Sequence, residues 1–494
     1  MNAPGRPPVP TERLRAALER AGQFVGVTGT LPAAIDDITD DSRSVRQGSC
    51  FVAVKGSARD GHDFLLQVTQ AGATCAIVES ASGLAVPAIV VRESRVAAAV
   101  AAAAFFGEPA TGLRFVGVTG TNGKTTTVGI LRHLLDAPDA PAASIGTLGV
   151  LVGSEGRALP GGAGLTTPGP LELQRVLRAL VDAGVRTVTM EVSSHALDQQ
   201  RVLGVAFDAA VFTNLTRDHL DYHRTMEAYL AAKARLVGML TPTGTAVVNA
   251  DDPAWRGLPS TAHTLRFALN ASADVSAGGV KFEARGSSWT LRYEGAVAEV
   301  RLPLIGDFNV ANALGAAAAA LSLGVPIGRV AKRLATVPQV PGRLEVLSEH
   351  PTVLRDYAHT PDALARALEA LRPFVPGRLI ALFGCGGDRD RGKRPLMAEA
   401  ARAHADHLVV TSDNPRTEDP ERILDEIVAP LLQGSYDRIE DRRAAIAHAI
   451  ALADPARDVV LLAGKGHETY QIRGTTSYPF DEKAIVAELL GGWR

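Results

Sequence analysis

Thr119-Gly120-Thr121-Asn122-Gly123-Lys124-Thr125-Thr126-Thr127 follows the apolar run Arg114-Phe115-Val116-Gly117-Val118 and leads into Val128-Gly129-Ile130-Leu131-Arg132-His133-Leu134-Leu135. A glycine-rich loop set between a strand and an amphipathic helix marks an α/β domain with a parallel sheet, and it is where a polyphosphate binds. Gly120 and Gly123 let backbone N–H groups crowd around phosphate oxygens, and the positive end of the next helix adds its dipole. Lys124 supplies charge to the terminal phosphates, and the Thr125 hydroxyl is placed to ligate Mg²⁺. The usual spacing Gly-x-x-x-x-Gly-Lys-Ser/Thr would need a glycine where Val118 stands, so the loop is a variant whose first glycine is Gly120. The alternative, a glycine-rich turn with a solvated lysine, does not account for strand, Gly-Lys-Thr and helix in that order. Gly120, Thr121, Asn122, Gly123, Lys124, Thr125 and Thr126 are therefore expected to bind ATP.

A chain of 494 residues exceeds what one core organises, so two or three domains are expected around that loop. Its net charge of −2 supplies no global attraction for nucleic acid or an anionic membrane, and neither is expected as a partner. Cys50, Cys75 and Cys385 are far apart in sequence and suggest neither a metal knuckle nor a disulfide framework. With no signal-peptide core and no run of about 18 apolar residues, the expectation is a cytoplasmic protein without membrane insertion. Met1–Pro10, rich in proline, reads as a flexible tail.

Strand-like runs at 50–54, 75–78 and 88–91 predict a small α/β unit, closed by the linker 107–112. Short apolar runs at 114–119, 187–192, 209–213 and 245–248 predict the parallel strands of the nucleotide domain. An alanine-rich helix over 309–323 and a proline-containing boundary at 337–342 precede a last alternating unit with strands at 378–383, 407–411 and 458–463. The expected architecture is α/β in three domains: 1–110, 111–340 with a P-loop, and 341–494, Rossmann-like.

Several polar clusters fall at strand ends, where open α/β sheets bind ligands. Glu191 ends one strand, within reach of a Mg²⁺ on Thr125. The loop 213–223 packs Asp218, His219, Asp221 and His223 together, suiting hydrated phosphate chemistry or, more plainly, helix capping. Lys233 lies at the border of the apolar stripe of a helix predicted over 226–240. It either snorkels or, if desolvated, becomes a nucleophile toward carbonyl compounds or CO₂. Gly384-Cys385-Gly386-Gly387-Asp388-Arg389 partly mimics a dinucleotide fingerprint, with Arg389 in place of its last glycine. Together with Asp413-Asn414-Pro415-Arg416 and Gly464-Lys465-Gly466-His467-Glu468, it gathers charges that suit a zwitterionic ligand.

Taken together these residues resemble the Mur ligase family of ATP-dependent amino-acid-adding enzymes, almost from end to end. The resemblance rests on Thr119–Thr127, Glu191-Val192-Ser193-Ser194-His195-Ala196-Leu197, Asp218–His223, Asn309-Val310-Ala311-Asn312-Ala313, Asp356-Tyr357-Ala358-His359-Thr360-Pro361 and Gly384–Arg389. It implies that Asn309, Asn312, Arg343 and Asp356 line the adenine nucleotide, and that Thr125 and Glu191 surround a first Mg²⁺. Lys233 matches the lysine that the family carbamylates to N6-carboxylysine, which with His219 holds a second Mg²⁺. Asp41-Ser42-Arg43 resembles an N-terminal uridine site, and Thr166, Thr167, Ser193, Gln199 and Arg201 match positions holding the rest of a UDP-sugar peptide. Leu165 stands where that pattern places an asparagine. Asp413–Arg416 resembles the motif for meso-diaminopimelate rather than L-lysine, and Arg389, Asp413, Asn414, Pro415, Arg416, Gly464 and Glu468 are carried over as that pocket.

The implied reaction adds meso-diaminopimelate to UDP-N-acetylmuramoyl-L-alanyl-D-glutamate in peptidoglycan precursor synthesis, through an acyl phosphate. Lys124, Lys233, His219 and His359 are the expected catalytic residues, and the base for the incoming amine is His359 or a carboxylate. The rivals are an L-lysine-adding ligase, a folylpolyglutamate synthetase, a nicotinamide-dependent oxidoreductase using Gly384–Arg389, and a regulatory NTPase switch.

Overall fold

The structure is a computed structural model that describes residues 7–56, 59–80, 85–162, 164–261, 263–283 and 285–491. By internal contacts it divides into two units. One comprises 1–276, 292–296 and 312–330, and the other 277–291, 297–311 and 331–494. None of the described helices is long and apolar enough to cross a membrane.

The first unit begins with a five-stranded sheet in the order Phe24–Thr28, Ala88–Val91, Cys75–Val78, Ser49–Val52, Asp37–Thr39. The last four strands pair in parallel and the first is antiparallel to Ala88–Val91. Alternate side chains pack against the two faces: Ile38, Cys50, Ile77 and Ile89 under the helices Thr11–Arg20 and Ser94–Phe106, and Phe51, Ala76 and Val78 on the opposite face. Cys50 and Cys75, distant in sequence, are register partners on adjacent strands, and all three cysteines are free thiols. The expected tail is shorter than read: residues 1–6 lie outside the described residues, but Val9 and Pro10 pair with Ile35 and Ala34, because Val9 is buried in that core.

The larger sheet of this unit runs Arg157–Leu159, Gly149–Val152, Ala142–Gly146, Thr187–Glu191, Arg114–Thr119, Phe207–Phe212, Leu240–Asn249, Thr264–Ala268. From Ala142–Gly146 onward the pairs are parallel, so consecutive carboxyl ends share one edge. Arg114–Thr119 matches its sequence expectation and lies centrally, between the strands ending at Glu191 and Phe212. The helix Asp307–Ser322 is alanine-rich for a packing reason. A Cβ on Gly315 would stand 3.0 Å from the Phe267 ring, and Ala316 to Ala320 are fully buried, so small residues let the helix lie close to the sheet. The crossover helix predicted over 226–240 ends earlier, at Ala234, and tightens into a 3-10 turn over Arg235–Met239.

The second unit holds a six-stranded sheet ordered Glu345–Glu349, Thr352–Asp356, Val459–Ala463, Leu379–Phe383, His407–Val410, Tyr436–Arg438. All pairs but the first are parallel. Its central strands therefore deliver Asp356, Gly464, Gly384 and Thr411 to one edge.

Candidate functional site

At the edge that carries the glycine-rich loop, the backbone has the shape that phosphate binding needs. Gly120 and Gly123 adopt φ of 146° and 85°. Their missing side chains admit the Thr213 hydroxyl and the Asn312 amide, which would stand 1.9 and 2.2 Å from any Cβ. The loop is pinned from the neighbouring strand end: Thr121 N–H donates to Asn214 O at 2.7 Å, Asn122 N–H to Asn214 Oδ1 at 2.9 Å, and Thr213 Oγ1 to Asn122 O at 2.7 Å. Lys124 Nζ donates to Gly120 O and Thr121 O at 2.9 and 2.8 Å, and Thr125 and Thr126 are buried in the first turn of the helix Lys124–Leu135.

Glu191 is buried at the end of its strand, its oxygens accepting from Thr147 N–H at 2.8 Å and Thr147 Oγ1 at 3.2 Å. Gly146 makes room for it, since a Cβ there would meet Glu191 Oε1 at 2.3 Å. Thr147 Oγ1 also reaches Thr166 Oγ1 at 3.3 Å. Thr167 Oγ1 links Glu191 O at 2.9 Å and Ser193 Oγ at 3.3 Å, and Arg201 donates to Thr167 O at 3.1 Å and to Gln199 Oε1 at 2.7 Å. Glu191, Thr166, Thr167, Ser193, Gln199 and Arg201 thus form one continuous network. Ser42 stands apart from it, opening a short 3-10 turn capped by Asp41, whose carboxylate accepts from Arg43 N–H at 3.0 Å. Leu165 is exposed.

Lys233 follows the second of the two courses the sequence leaves open. It does not snorkel: only 1% exposed, it points inward, donates to Gly120 O at 2.7 Å, and has the Tyr229 ring centroid 4.5 Å from Nζ. Burial, and next the charge of Lys124, hold this amine well below its ordinary range, with Asp218 opposing.

His219 and His223 lie near it and cluster with His195 and Tyr222. The His195 ring lies 4.9 Å from His219, 4.2 Å from Tyr222 and 5.4 Å from His223. Burial lowers the three histidines, His195 to about 4, where His219 and His223 add to the effect. Because His195 in the folded chain lies below its ordinary 6.5, the unfolded chain takes the proton first. Its contribution to stability is complete above about pH 6.5 and is lost as the pH falls toward 4. The melting temperature should therefore fall more steeply between pH 7 and pH 5 in the wild type than in His195→Gln. Parallel pH profiles of the two proteins would reject a lowered proton affinity at His195.

Among the described residues no three His, Cys, Asp or Glu side chains form a preformed metal cage. That suits Mg²⁺, which keeps several waters and binds through one or two protein oxygens plus substrate phosphates. The Thr125 hydroxyl and Glu191 carboxylate are hard donors of the right kind.

In the second unit, Asp356 is buried and accepts from Leu344 N–H at 2.7 Å and Ala358 N–H at 2.8 Å, while burial raises it above its ordinary range. Arg343 lies over the Tyr357 ring at 4.8 Å, His359 Nδ1 is 2.8 Å from Tyr357 O, and Lys393 donates to His359 O at 2.9 Å. Asn309 is buried, with Nδ2 on Ile305 O at 2.8 Å.

The broken dinucleotide fingerprint has another use here. The next helix, Lys393–His404, starts well past Arg389, so the loop is no tight strand-to-helix turn. A Cβ on Gly387 would stand 1.9 Å from Pro415 O, and one on Gly386 would stand 2.9 Å from Arg416 Nη1. These glycines admit the 413–416 loop, not a pyrophosphate. Arg416 donates to Gly387 O at 2.8 Å, Asn414 Nδ2 to Glu468 Oε2 at 2.9 Å, and Gly464 approaches Asp413, so these pocket residues do come together. Arg389 is exposed, its Nη1 on Asp388 O at 3.5 Å.

Sequence reasoning passed over Thr147, Asn214, Tyr229 and Lys465. The first two lie just beyond strand ends and were within reach of the strand-end rule. The roles of Tyr229 and Lys465 depend on burial.

Three family models match the chain: "Mur ligase family, catalytic domain" over 34–110, "Mur ligase middle domain" over 118–320 and "Mur ligase, glutamate ligase domain" over 342–466. A UDP-N-acetylmuramoyl-L-alanyl-D-glutamate–2,6-diaminopimelate ligase of Synechococcus elongatus is 46% identical over 474 residues, spanning 92% of this chain and 93% of that protein. A ligase of the same name from Geobacillus thermodenitrificans is 45% identical, spanning 90% and 93%. A solved structure of a ligase of that name superposes with a TM-score of 0.64 at 33% identity, covering 94% of this chain and 97% of the other. With a P-loop whose first glycine is displaced, a buried lysine behind it and relatives this similar over nearly their whole length, the chain belongs to the Mur ligase family.

Proposed function

We infer that the protein is an ATP-dependent ligase that joins meso-diaminopimelate to UDP-N-acetylmuramoyl-L-alanyl-D-glutamate, using Mg²⁺, in the cytoplasmic stage of peptidoglycan synthesis. The observation that carries this reading is the Asp413–Arg416 loop gathered against Glu468, in a chain 46% identical to a ligase of that name. The domains assigned to the tasks are 1–110 for the uridine end of the substrate, 111–340 for ATP and 341–494 for the amino acid. Ser42, Thr166, Thr167, Ser193, Gln199 and Arg201 hold the UDP-peptide; Asn309, Asn312, Arg343 and Asp356 hold the adenine nucleotide.

The D-glutamate side-chain carboxylate attacks the γ-phosphorus, the bond to the β,γ-bridging oxygen breaks, and ADP leaves. The diaminopimelate amine then attacks the acyl phosphate, loses a proton to a base such as His359, and expels phosphate to leave an amide. Thr125 and Glu191, and His219 with carboxylated Lys233, would hold Mg²⁺, which would supply charge neutralisation on the phosphates. Lys124 and the loop amides stabilise the charge that develops on the transferred group.

An assay with ATP, the UDP-dipeptide and either diaminopimelate or lysine, reading the product mass, tests the assignment. Diaminopimelate alone should yield a tripeptide product, and ATP consumption without any amide product would reject the ligase.

Lys233, in its unprotonated form, attacks CO₂, forming a C–N bond and releasing one proton to give the carbamate. Lys233→Ala should be inactive with its fold intact, and small carboxylates such as acetate should restore part of the activity by occupying the vacated space. An intact mass showing only unmodified lysine in active, nucleotide-bound protein would reject the carbamate.

A further inference from the structure

Under the amino-acid loops of the second unit lies a cation that the reaction scheme does not use. Lys465 is fully buried, with Nζ 3.2 Å from Asn414 Oδ1, 3.4 Å from Glu468 Oε2 and 3.9 Å from Asp413 Oδ1. The rings of Tyr470 and Phe480 wall it at 5.9 and 5.8 Å. Gly464, just before it, has φ of 113°, and a Cβ there would stand 2.7 Å from Asp413 Oδ2. Beneath, Arg442, buried and paired with Glu482, donates to Ser412 O at 3.3 Å and Ala463 O at 2.9 Å. It thus ties down the residues immediately preceding both loops.

The chemistry of these neighbours holds the Asn414 amide one way round. Its Oδ1 accepts from Lys465 Nζ at 3.2 Å and from Ile472 N–H at 2.9 Å, and neither group can accept in return. Its Nδ2 donates one hydrogen to the Glu468 carboxylate at 2.9 Å, leaving one for a ligand. With its oxygen saturated, Asn414 meets a substrate only as a donor. Glu468 Oε2 is engaged by Asn414 and Lys465, and Oε1 takes no part in that network.

We propose that Lys465 is a positioning residue for the far end of the amino-acid substrate: it fixes Asn414 as a donor to the distal carboxylate beside Arg416, and Glu468 as the acceptor of the distal ammonium. This rests on the reading of the pocket as the diaminopimelate site. Burial lowers Lys465 and raises Glu468, and the charge of each partly opposes the shift of the other. Removing the lysine leaves Asn414 Oδ1 held by Ile472 N–H alone, with one lone pair open to a ligand, and leaves Glu468 without its buried counter-charge.

The test compares Lys465→Met and Lys465→Gln with the wild type for all three substrates. Lys465→Met should raise the KM for diaminopimelate by about 10- to 100-fold, the range for a lost charged hydrogen bond, and narrow the preference over lysine, with the KM for ATP unchanged. Lys465→Gln, which keeps one donor, should lie between Met and wild type. A folded Lys465→Met protein with unaltered KM and preference overturns the inference, as does an equal loss toward all three substrates in both variants. If Lys465→Met fails to fold, Lys465→Gln decides alone by the same criteria. Wild-type enzyme that adds no diaminopimelate overturns the pocket reading as well, whereas an active wild type beside an unaltered variant overturns this inference only.

Discussion

Arg416→Ala is expected to raise the KM for diaminopimelate strongly, leave that for ATP nearly unchanged, and remove most of the discrimination against lysine. Arg416 occupies a left-handed conformation, φ 51°, rare for a side-chain-bearing residue and maintained only where the surroundings dictate it. They do so here: its N–H donates to Ile472 O at 3.1 Å, its carbonyl accepts from Gly474 N–H at 2.6 Å, and Nη1 is anchored on Gly387 O at 2.8 Å. The guanidinium is therefore aimed before substrate binds, with donors remaining for the distal carboxylate that lysine lacks. A site built for such a group can reject the analogue without it by roughly 10⁴-fold, because the arginine donors that face the ligand would be left without an acceptor. Competition between the two amino acids, read by product mass, measures this ratio. If the variant keeps the wild-type preference, Arg416 does not read the carboxylate.

Lys124→Ala should lower turnover by on the order of 10² to 10³ or more, since it removes a charge that acts on the transferring phosphate. The fold should survive. Alanine loses the two hydrogen bonds from Nζ to Gly120 O and Thr121 O, but Asn214 and Thr213 still pin the loop from the neighbouring strand end. Unfolding temperature and single-turnover rate separate the two effects, and near-normal product formation by the folded variant would refute the role given to this lysine.

How far the sequence could be read varied with the range of the interaction. Strand, glycine loop and helix at Arg114–Leu135 are local features, since φ freedom at Gly120 and Gly123 and the helix periodicity lie within about twenty residues. The strand-end loops carrying Glu191, Asp413–Arg416 and Gly464–Glu468 were legible for the same reason. Residues near Gly384 were misleading on their own, because a glycine that admits a phosphate and a glycine that admits a neighbouring loop are written with the same letter. Only Pro415 O and Arg416 lying against Gly387 and Gly386 distinguish the two uses.

Local patterns along the chain are enough to read a multi-domain α/β protein with a phosphate loop, and the order of its motifs places it among ligases of this family. Tertiary structure decided the state of its lysines. Lys233 sits at the border of a helical stripe by periodicity, yet the crossover between Phe207–Phe212 and Leu240–Asn249 turns it inward against Gly120 O and Tyr229. Lys465 reads as one more loop cation until Asp413, Asn414 and Glu468 are found around it. Proton affinity and hydrogen-bond polarity depend on desolvation and on partners brought from distant parts of the chain, and neither is encoded in local spacing.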